Sequence, residues 1–457
     1  MIHTMLSTTR RCFSSSTTNN VMNNNVKSLI FPKSFKVSGV SAGIKKKKNV
    51  LDFALFTSEY PCTSAAVYTQ NQFCAAPVTI TKQTIAQYPN DIYGVIVNSG
   101  CANACTGEQG LKDAQDTQLY ASKEYNLNNT LVMSTGVIGP HLDMNKIRYG
   151  IDLAVKQLDN SNEAWDNASR AIMTTDTVPK LQSKQYTLHA ENNNTDNYSI
   201  AGVAKGAGMI HPNMATMLSV ICSDISISQP LLQEAVKYAA DRSFNAISVD
   251  GDTSTNDTFA VLCNGQAGNK TITSSNTNEY KQFRSSLTQL SVSLAKQLVI
   301  DGEGATKFVQ ITVSNADTFN NARVIASSVS TSALVKTALF GQDANWGRIL
   351  CAVGYSGIKF NPYKVNLYFV SENDTFDEDS EGVKQMNKQA LSSSTTQSLH
   401  LVKDGRPYHI DEEIALKLLQ QKNIYIYIDL GIGQAQAIQW TCDFSYDYVK
   451  INADYRS

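Results

Sequence analysis

Residues 205–218 read KGAGMIHPNMATML, in which a loop with two glycines leads to the step from Ala215 to Thr216. This step enters the apolar run 217–222, which predicts a buried strand. A threonine at the mouth of a buried strand, behind a small residue and a flexible loop, is well placed to attack the peptide bond that precedes it. We therefore take Thr216 as the centre of the chemistry and as the natural point of division of the chain.

Thr216 can become a nucleophile that carries its own base. A threonine hydroxyl reacts poorly until a nearby base accepts its proton, and a free α-amine, with a pKa of about 7.7–8.0, is such a base near neutral pH. If the bond between Ala215 and Thr216 breaks, the amine and the hydroxyl belong to one residue, and none of the six histidines is required. The same pattern also fits an ordinary strand after a glycine turn, with Thr216 as its polar first residue.

With 457 residues, the chain has room for two or three domains, or for one large α/β unit with a satellite. Its composition, with 42% hydrophobic and 17% charged residues, is typical of a globular protein with a large core. A net charge of −1 gives no overall field that attracts nucleic acid, and no apolar run approaches the roughly 20 residues that cross a membrane. The nine cysteines form no zinc-binding pattern, so we interpret them as reduced thiols.

The first 51 residues contain no acidic side chain, whereas basic residues, serine and threonine are frequent there. This composition is typical of a mitochondrial transit peptide, and we expect one over about residues 1–30, with the enzyme in the matrix. The stretch Arg11-Cys12-Phe13-Ser14 is a candidate site for the matrix peptidase. A disordered cytosolic leader is the alternative, and a secretory signal fits poorly because no apolar segment follows the charges.

From residue 50 onward, short apolar runs alternate with helical patterns, which predicts an α/β or α+β fold. The runs 92–97 and 131–133 are predicted buried strands, with a helix over 111–125 between them. The other predicted helices cover 147–158, 230–242 and 280–299, and the other predicted strands cover 309–313, 365–370 and 424–429. Three polar stretches, 191–198, 264–278 and 373–398, are predicted surface insertions.

Several short motifs follow one another between about residue 35 and the end of the sequence. The motifs are NSGCAN (98–103), STGVIG (134–139), MTTDT (173–177), DGEGAT (301–306), GQDANWGR (341–348) and the tail DYVKINADYRS (447–457). Together with residues 205–218, they resemble the signature of the ornithine acetyltransferase family, whose members are bifunctional glutamate and amino-acid N-acetyltransferases of arginine biosynthesis.

The resemblance implies a layered α/β sandwich of the self-processing N-terminal-threonine type, with a smaller C-terminal lobe. It implies cleavage after Ala215 into an α chain, 31–215, and a β chain, 216–457, with two copies of each in the assembly. Thr216 would take the acetyl group from N-acetylornithine and pass it to glutamate in a ping-pong reaction. The chemistry requires no metal or cofactor, and whether acetyl-CoA also serves as a donor stays open.

The resemblance also implies roles for individual side chains. Thr135 and Gly136 would form the oxyanion hole that stabilises the tetrahedral intermediate. Lys205 would supply a positive charge for a substrate carboxylate, and Glu303 would receive an ammonium group. The other implied substrate-binding positions are Thr174, with Thr175 and Thr177 as alternatives, Asn452, Ser457, which stands where the family has threonine, and Thr216 itself.

Other patterns in the chain fit other functions less well. Gly206-Ala-Gly208 and Gly302-Glu-Gly304 lack the remaining residues of a nucleotide-binding loop. The acidic residues 250, 252 and 257 lack the spacing of an EF-hand loop, so hydrogen-bonded turns explain them better. An N-terminal-nucleophile hydrolase, such as an amidase or aminopeptidase, is the alternative enzyme, because water can intercept the same acyl group. A non-catalytic binding module with this fold would be isolated as an intact chain.

Overall fold

The computed structural model describes residues 29–189, 195–211, 217–379, 381–386, 397–408 and 410–454. Within these ranges the chain alternates between strands and helices along its whole length. The strands are β1 (Phe35–Val40), β2 (Phe53–Tyr68), β3 (Ile92–Cys101), β4 (Leu131–Val137), β5 (Lys180–His189), β6 (Thr195–Lys205), β7 (Leu218–Ser223), β8 (Ile247–Ser248), β9 (Thr258–Cys263), β10 (Phe308–Ala316), β11 (Asn366–Val370), β12 (Thr375–Glu378), β13 (Lys384–Met386), β14 (Leu399–Lys403), β15 (Arg406–Pro407), β16 (Asn423–Asp429) and β17 (Ala435–Cys442).

Several of the helices begin where the sequence supplies a capping side chain. Asp143 accepts hydrogen bonds from the backbone N–H groups of the first turn that follows it, and Ser161 does the same for the next helix. The helices are α1 (Ala76–Gln87), α2 (Gly107–Tyr125), α3 (Met144–Lys156), α4 (Asn162–Ala171), α5 (Gln229–Arg242), α6 (Asn278–Ile300), α7 (Phe319–Ser330), α8 (Ala333–Phe340), α9 (Trp346–Gly354), α10 (Glu412–Gln420) and α11 (Tyr446–Ala453).

The larger sheet has eight strands, in the order β4-β3-β2-β9-β7-β6-β5, with β1 paired to β2 beside this path. The long strand β2 joins its two halves, because its first part pairs with β1 and β3 and its second part pairs with β9. The strand β7, which follows the Ala215-Thr216 step, therefore lies inside the sheet between β6 and β9.

Apolar side chains alternate between the two faces of this sheet and bury both. In β2, Phe53 and Leu55 join the cluster formed with α1, α2 and α3, whereas Ala54 and Phe56 join the cluster that contains Trp165 of α4. Further along the sheet, the helices α5 and α6 pack in a third cluster with residues of β7 and β9. Helices thus cover both faces, which confirms the layered α/β prediction.

A second sheet forms the smaller C-terminal lobe, in the order β15-β14-β11-β16-β10-β17-β8. Its core packs against α7, α8, α9 and α10. The short strand β8 comes from the earlier part of the chain and pairs with β17, which ties the lobe to the main body. The strands β12 and β13 pair separately as a two-stranded sheet.

The predicted helices and strands that fall in the described ranges are confirmed, with ends displaced by a few residues. The predicted surface insertions are wrong in part. Residues 195–198 belong to β6, where Tyr198 is buried, and within 264–278 the side chains of Asn269 and Ile272 are buried. The reason is that Asn269 accepts a hydrogen bond from the backbone of Ser226 and fixes this loop against the sheet. The stretch 373–398 contains β12 and β13, and its residues 387–396 lie outside the described ranges.

Several other predictions fall outside the described ranges. They concern the transit peptide, of which only the last two residues are described, and the positions Ala215, Thr216 and Ser457. Among the described helices, none combines the length and apolar character that a membrane span needs. The eight cysteines in the described ranges form no disulfide, and five of them are buried.

Candidate active site

A cavity of about 220 Å³ lies where the ends of β4 and β6 meet the helix α11. This volume is below the range of roughly 300–1,000 Å³ that is typical of drug-sized ligand pockets, so the cavity suits a molecule the size of an amino acid. The residues that line it are Ala102, Thr135, Gly136, Ile138, Thr174, Thr175, Lys205, Gly208, Met209, Ser254, Asn256, Glu303 and Asn452.

Thr135 and Gly136 bring backbone and hydroxyl groups to one wall of the cavity. They lie near the end of β4, where the register with β3 shifts at Cys101. Gly136 has a φ of +131°, and a Cβ at this position would lie 2.6 Å from the backbone nitrogen of Cys101. Only glycine therefore fits this close approach of two strands, and the irregularity interrupts the regular ladder at the cavity wall.

The buried amide of Asn256, just before β9, holds this turn in place. Its Nδ2 donates to the carbonyl oxygen of Ala102 at 2.6 Å and to that of Ser134 at 2.9 Å. The hydroxyl of Ser134 in turn donates to Oδ1 of Asn98 at 2.6 Å. Donors on a turn that is fixed in this way can stabilise a developing oxyanion, because they do not have to reorient during the reaction.

Lys205 supplies a buried positive charge. It is the last residue of β6 and is 2% exposed, and its Nζ donates to Oγ1 of Thr174 at 3.3 Å. Burial lowers the pKa of Lys205, while the negative charges of Asp176 and Asp257 act in the opposite direction. A buried ammonium group attracts a substrate carboxylate strongly, because little solvent is present to screen its charge.

The three threonines of the MTTDT motif have different surroundings. Thr174 and Thr175 line the cavity, and Thr174 is the one in contact with Lys205. The hydroxyl of Thr177 instead donates to the carboxylate of Asp301. The geometry thus favours Thr174 over Thr177 as a residue that meets substrate.

Glu303 supplies the negative charge on the other side of the cavity. Its backbone N–H donates to the carbonyl of Ala207 at 2.8 Å, and its Oε2 accepts a hydrogen bond from Nδ2 of Asn452 at 2.8 Å. A Cβ added to Gly208 would lie 2.6 Å from Oε1 of Glu303, so the carboxylate packs directly against the backbone of the glycine loop. The glycine at position 208 is what allows this approach.

Asp257 is a second carboxyl group at the site, and it is fully buried. The next residue, Thr258, donates its N–H to the carbonyl of Met217 at 3.2 Å, so Asp257 lies beside the beginning of β7. Burial raises the pKa of Asp257 well above its ordinary value, and the charge of Lys205 only partly opposes this. The backbone N–H groups of Ser254, Asp257 and Met217 act on this pKa in the same direction as Lys205, but burial outweighs them.

The cavity brings together six of the residues that the resemblance implied: Thr135, Gly136, Thr174, Lys205, Glu303 and Asn452. They come from segments as distant in sequence as 135 and 452, and the sheet order brings them to one place. Ala215, Thr216 and Ser457 lie outside the described residues, so their roles stay predictions. Met217, the first described residue after that gap, is buried where β7 begins.

Sequence reasoning missed several residues of the cavity. Ala102, Ile138, Gly208 and Met209 lie inside motifs that carried the resemblance, but no property of these side chains marked them as cavity residues. Other residues had weaker signals still. Ser254 and Asn256 belong to a polar stretch that predicted only a turn, because a braced loop and a solvated loop have the same composition.

The arrangement has the groups that an acyl transfer on an amino acid needs. A cation and an anion face the same small cavity, a hydroxyl and a strand-end glycine form one wall, and none of the described lining residues is a histidine. In the described part of the chain, no group of histidine, cysteine and acidic side chains is arranged to hold a metal ion.

Comparisons with known proteins agree with this chemistry. The family model of the ArgJ family matches residues 36–457. The mitochondrial arginine biosynthesis bifunctional protein ArgJ of Schizosaccharomyces japonicus is 45% identical over 438 residues, which cover 94% of this chain and 94% of that protein. The protein of the same name from Aspergillus clavatus is 46% identical over 441 residues, which cover 93% of this chain and 92% of that protein.

Among solved structures, the ornithine acetyltransferase of Mycobacterium tuberculosis, complexed with ornithine, is 36% identical, with a TM-score of 0.34. The match covers 40% of this chain and 94% of that one. The match to the family model spans nearly all of the sequence, and the two fungal relatives far exceed the identity at which membership is secure. The chain belongs to the ArgJ family.

Proposed function

We propose that this protein is a self-cleaving acetyltransferase of arginine biosynthesis, which moves the acetyl group of N-acetylornithine to glutamate through an acetyl-Thr216 intermediate. Membership of the ArgJ family makes the chain an acetyltransferase of this pathway. The observation that carries the finer proposal is the meeting of Lys205 and Glu303 with the Thr135-Gly136 turn in one small cavity.

Maturation begins with the segment that precedes β7. Oγ1 of Thr216 attacks the carbonyl carbon of Ala215, the bond to the nitrogen of Thr216 breaks, and an ester links the two residues. Water then hydrolyses the ester and leaves an α chain that ends at Ala215 and a β chain that begins at Thr216. Because β7 lies inside the sheet, paired on both sides, it can hold the new chain end in place.

Turnover uses the new α-amine of Thr216 as the base for its own hydroxyl. The acetyl carbonyl of N-acetylornithine accepts hydrogen bonds from the Thr135-Gly136 turn while Oγ1 attacks it, and ornithine leaves. The amino group of glutamate then attacks the acetyl ester and gives N-acetylglutamate. Two half-reactions that share one acyl-enzyme predict ping-pong kinetics.

The charges in the cavity explain the choice of amino-acid substrates. Lys205 and Thr174 bind a carboxylate, and Glu303, with Asn452 donating to it, receives an ammonium group. Ser457 is proposed to contribute a further hydroxyl group to substrate binding. Substrates that carry both charges are favoured, because a buried ion without a partner costs several kcal/mol.

The proposed location and assembly of the enzyme complete the proposal. We propose that residues 1–30 are a transit peptide and that the mature enzyme works in the mitochondrial matrix, since two fungal relatives are named mitochondrial. We further propose an assembly of two α chains and two β chains. Acetyl-CoA as an additional donor is compatible with the same acetyl-Thr216 intermediate.

The test is the intact mass of the purified protein beside a Thr216→Ala variant. The wild type is expected to give two polypeptides, one beginning Thr-Met-Leu-Ser, and the variant one uncut polypeptide without acetyl transfer. Incubation with N-acetylornithine in the absence of glutamate is expected to add the mass of one acetyl group to the β chain. An active wild type that stays in one piece would refute the mechanism.

The same assay separates transfer from hydrolysis. Free acetate released from N-acetylornithine at a rate independent of glutamate would identify an amidohydrolase instead. Parallel lines in a double-reciprocal plot over both substrates are the expected result for the transferase.

A further inference from the structure

Three charged side chains form a buried cluster directly behind the cavity, and the proposed mechanism does not use them. Nζ of Lys180 lies 2.6 Å from Oδ1 of Asp176 and 2.6 Å from Oδ2 of Asp301. The side chains of Lys180 and Asp176 are fully buried, and that of Asp301 is 6% exposed. Removing such ions from water costs several kcal/mol each, so stability alone is a poor reason for their presence.

Asp176 links two segments that carry proposed substrate-binding residues. Its Oδ2 accepts the backbone N–H of Thr174 at 2.9 Å, and its Oδ1 accepts the backbone N–H of Gly206, the residue after Lys205, at 2.7 Å. Thr174 and Lys205 are 31 positions apart in the sequence, and their side chains meet in the cavity. One carboxylate thus fixes the backbone beside both of them.

Asp301 extends the cluster to a third segment. It accepts the backbone N–H of Thr177 at 3.0 Å and lies two residues before Glu303. The single positive charge of Lys180 pairs with both carboxylates at once. The segments behind the positive and the negative wall of the cavity therefore share one buried cation.

We propose that Asp176 is a positioning residue of the acetyl-transfer site, which fixes Thr174 and Lys205 relative to each other through the backbone N–H groups of Thr174 and Gly206. The inference rests on the proposed function for the identity of the reaction. The contacts themselves do not depend on it, because they concern only how the carboxylate-binding wall is built.

The electrostatics of Lys205 support this role. Burial lowers the pKa of its ammonium group, and Asp176 makes the largest opposing contribution. Removal of the Asp176 charge should therefore lower the pKa further, so that Lys205 loses its proton at a lower pH. The other charged groups that face it are Asp257, Glu303, Lys180, Lys45 and, in the proposed mature enzyme, the α-amine of Thr216.

The experiment compares Asp176→Asn with the matched control Asp301→Asn. Each removes one carboxylate charge from Lys180 and leaves the other, but only Asp176 accepts the backbone N–H groups of Thr174 and Gly206, whereas Asp301 accepts those of Thr177 and Val178. For wild type and both variants, kcat and KM for glutamate are measured across the neutral and alkaline range. The affinity for glutamate is measured by calorimetry over the same range, and intact mass reports self-cleavage.

For Asp176→Asn we expect KM for glutamate to rise between about 10-fold and 100-fold. We also expect the alkaline limb of kcat/KM, and of the affinity, to move to lower pH by about one unit. In Asp301→Asn, the alkaline limb of kcat/KM should stay at the same pH as in the wild type, even if that substitution changes kcat. Titration of glutamate itself is common to all three proteins and cancels in the comparison.

Two results would overturn the inference. One is an Asp176→Asn variant whose KM for glutamate and whose alkaline limb of kcat/KM are both those of the wild type. The other is a shift of the alkaline limb by the same amount in Asp176→Asn and Asp301→Asn. If the Asn variant is insoluble, Asp176→Glu replaces it. That change keeps the charge and alters the reach by one methylene, so we expect a raised KM with the limb at the wild-type pH, and an unchanged KM would refute the positioning role.

Failure of the proposed function gives a different pattern. A wild type without acetyl transfer or self-cleavage refutes the function, but the calorimetric comparison still tests whether Asp176 shapes a carboxylate-binding site. A wild type that cuts and transfers, together with an Asp176→Asn variant that binds glutamate normally, refutes only the inference.

Discussion

Gly208→Ala tests how closely the acidic wall of the cavity is built against the glycine loop. Gly208 does not have a left-handed φ, so alanine meets no backbone strain there. Its new Cβ, however, would lie 2.6 Å from Oε1 of Glu303 and even closer to the rest of the carboxylate, whereas ordinary contact begins at 3.4 Å. The carboxylate must therefore retreat by roughly 1 Å.

The retreat is costly for binding because Glu303 is fixed from two other sides. Its backbone N–H donates a hydrogen bond to the carbonyl oxygen of Ala207, and its carboxylate accepts the hydrogen bond from Asn452. Loss of one hydrogen bond to a charged group costs about 1.5–3 kcal/mol, which corresponds to a fall in kcat/KM of about 10-fold to 150-fold. Thermal stability should change little, since the displaced atoms are the end of a flexible side chain.

The assay is steady-state transfer from N-acetylornithine to glutamate, with thermal unfolding recorded alongside. Gly354→Ala, in the exposed last position of α9 with no atom within 4 Å of the added Cβ, is the matched control and should retain full activity. The double variant Gly208→Ala/Glu303→Asp should be no worse than Glu303→Asp alone, because the shorter carboxylate no longer meets the methyl group. Strictly additive effects, or wild-type kinetics for Gly208→Ala, would refute the reasoning.

Three further substitutions probe the oxyanion turn and the buried lysine of the C-terminal lobe. Gly136→Ala combines a left-handed φ with a close backbone contact, so we expect a loss of about 2–5 kcal/mol of unfolding free energy in urea and a fall in kcat of at least about 100-fold. Asn256→Ala leaves two buried carbonyl oxygens without their donor and should cost about 1–3 kcal/mol for each, measured by urea unfolding, with a lower kcat and an unchanged KM. Lys336 is fully buried, and burial lowers the pKa of its ammonium group from 10.5. The unfolded chain therefore binds this proton more tightly than the folded chain does. As a result, the free energy of unfolding rises with pH until the pH reaches about 10.5. In Lys336→Met this part of the rise should vanish, and melting temperatures that climb with pH as steeply as in the wild type would contradict it.

The sequence alone determined the local elements of this fold. A continuous apolar run in β3, alternating apolar residues in β16, and helical spacing in α5 and α6 predict elements that the structure confirms within a few residues. These patterns act locally, because a strand or a helix must present its own apolar face to some core. Asp143 likewise marks the start of α3 by capping groups only two and three residues away.

The sequence motifs predicted the protein family as well as the secondary structure. Motifs in the right order indicated the family before any contact was known, and the family model and the fungal relatives confirm it. The acid-poor leader and the cleavage point at Thr216 were predicted in the same way and await the experiments above.

Only the tertiary structure decided which side chains meet. Lys205 contacts Thr174 rather than Thr177, and Glu303 contacts Asn452 from 149 positions away. Nothing in the local sequence encodes such pairs, because they depend on the order of strands in the sheet and on how α11 packs over the cavity.

Burial, too, is a property of the whole fold. Asp176, Lys180 and Asp257 look like ordinary surface charges in the sequence, yet all three are buried, where the loss of water makes a charge costly unless it has a partner. The loop at Asn269 was predicted to be a solvated insertion for the same reason, since its polar composition does not reveal that the sheet satisfies its hydrogen bonds. The amino-acid sequence thus determines which chemical groups are present. The packed fold sets the distances between these groups and excludes water from them, and this makes them a site.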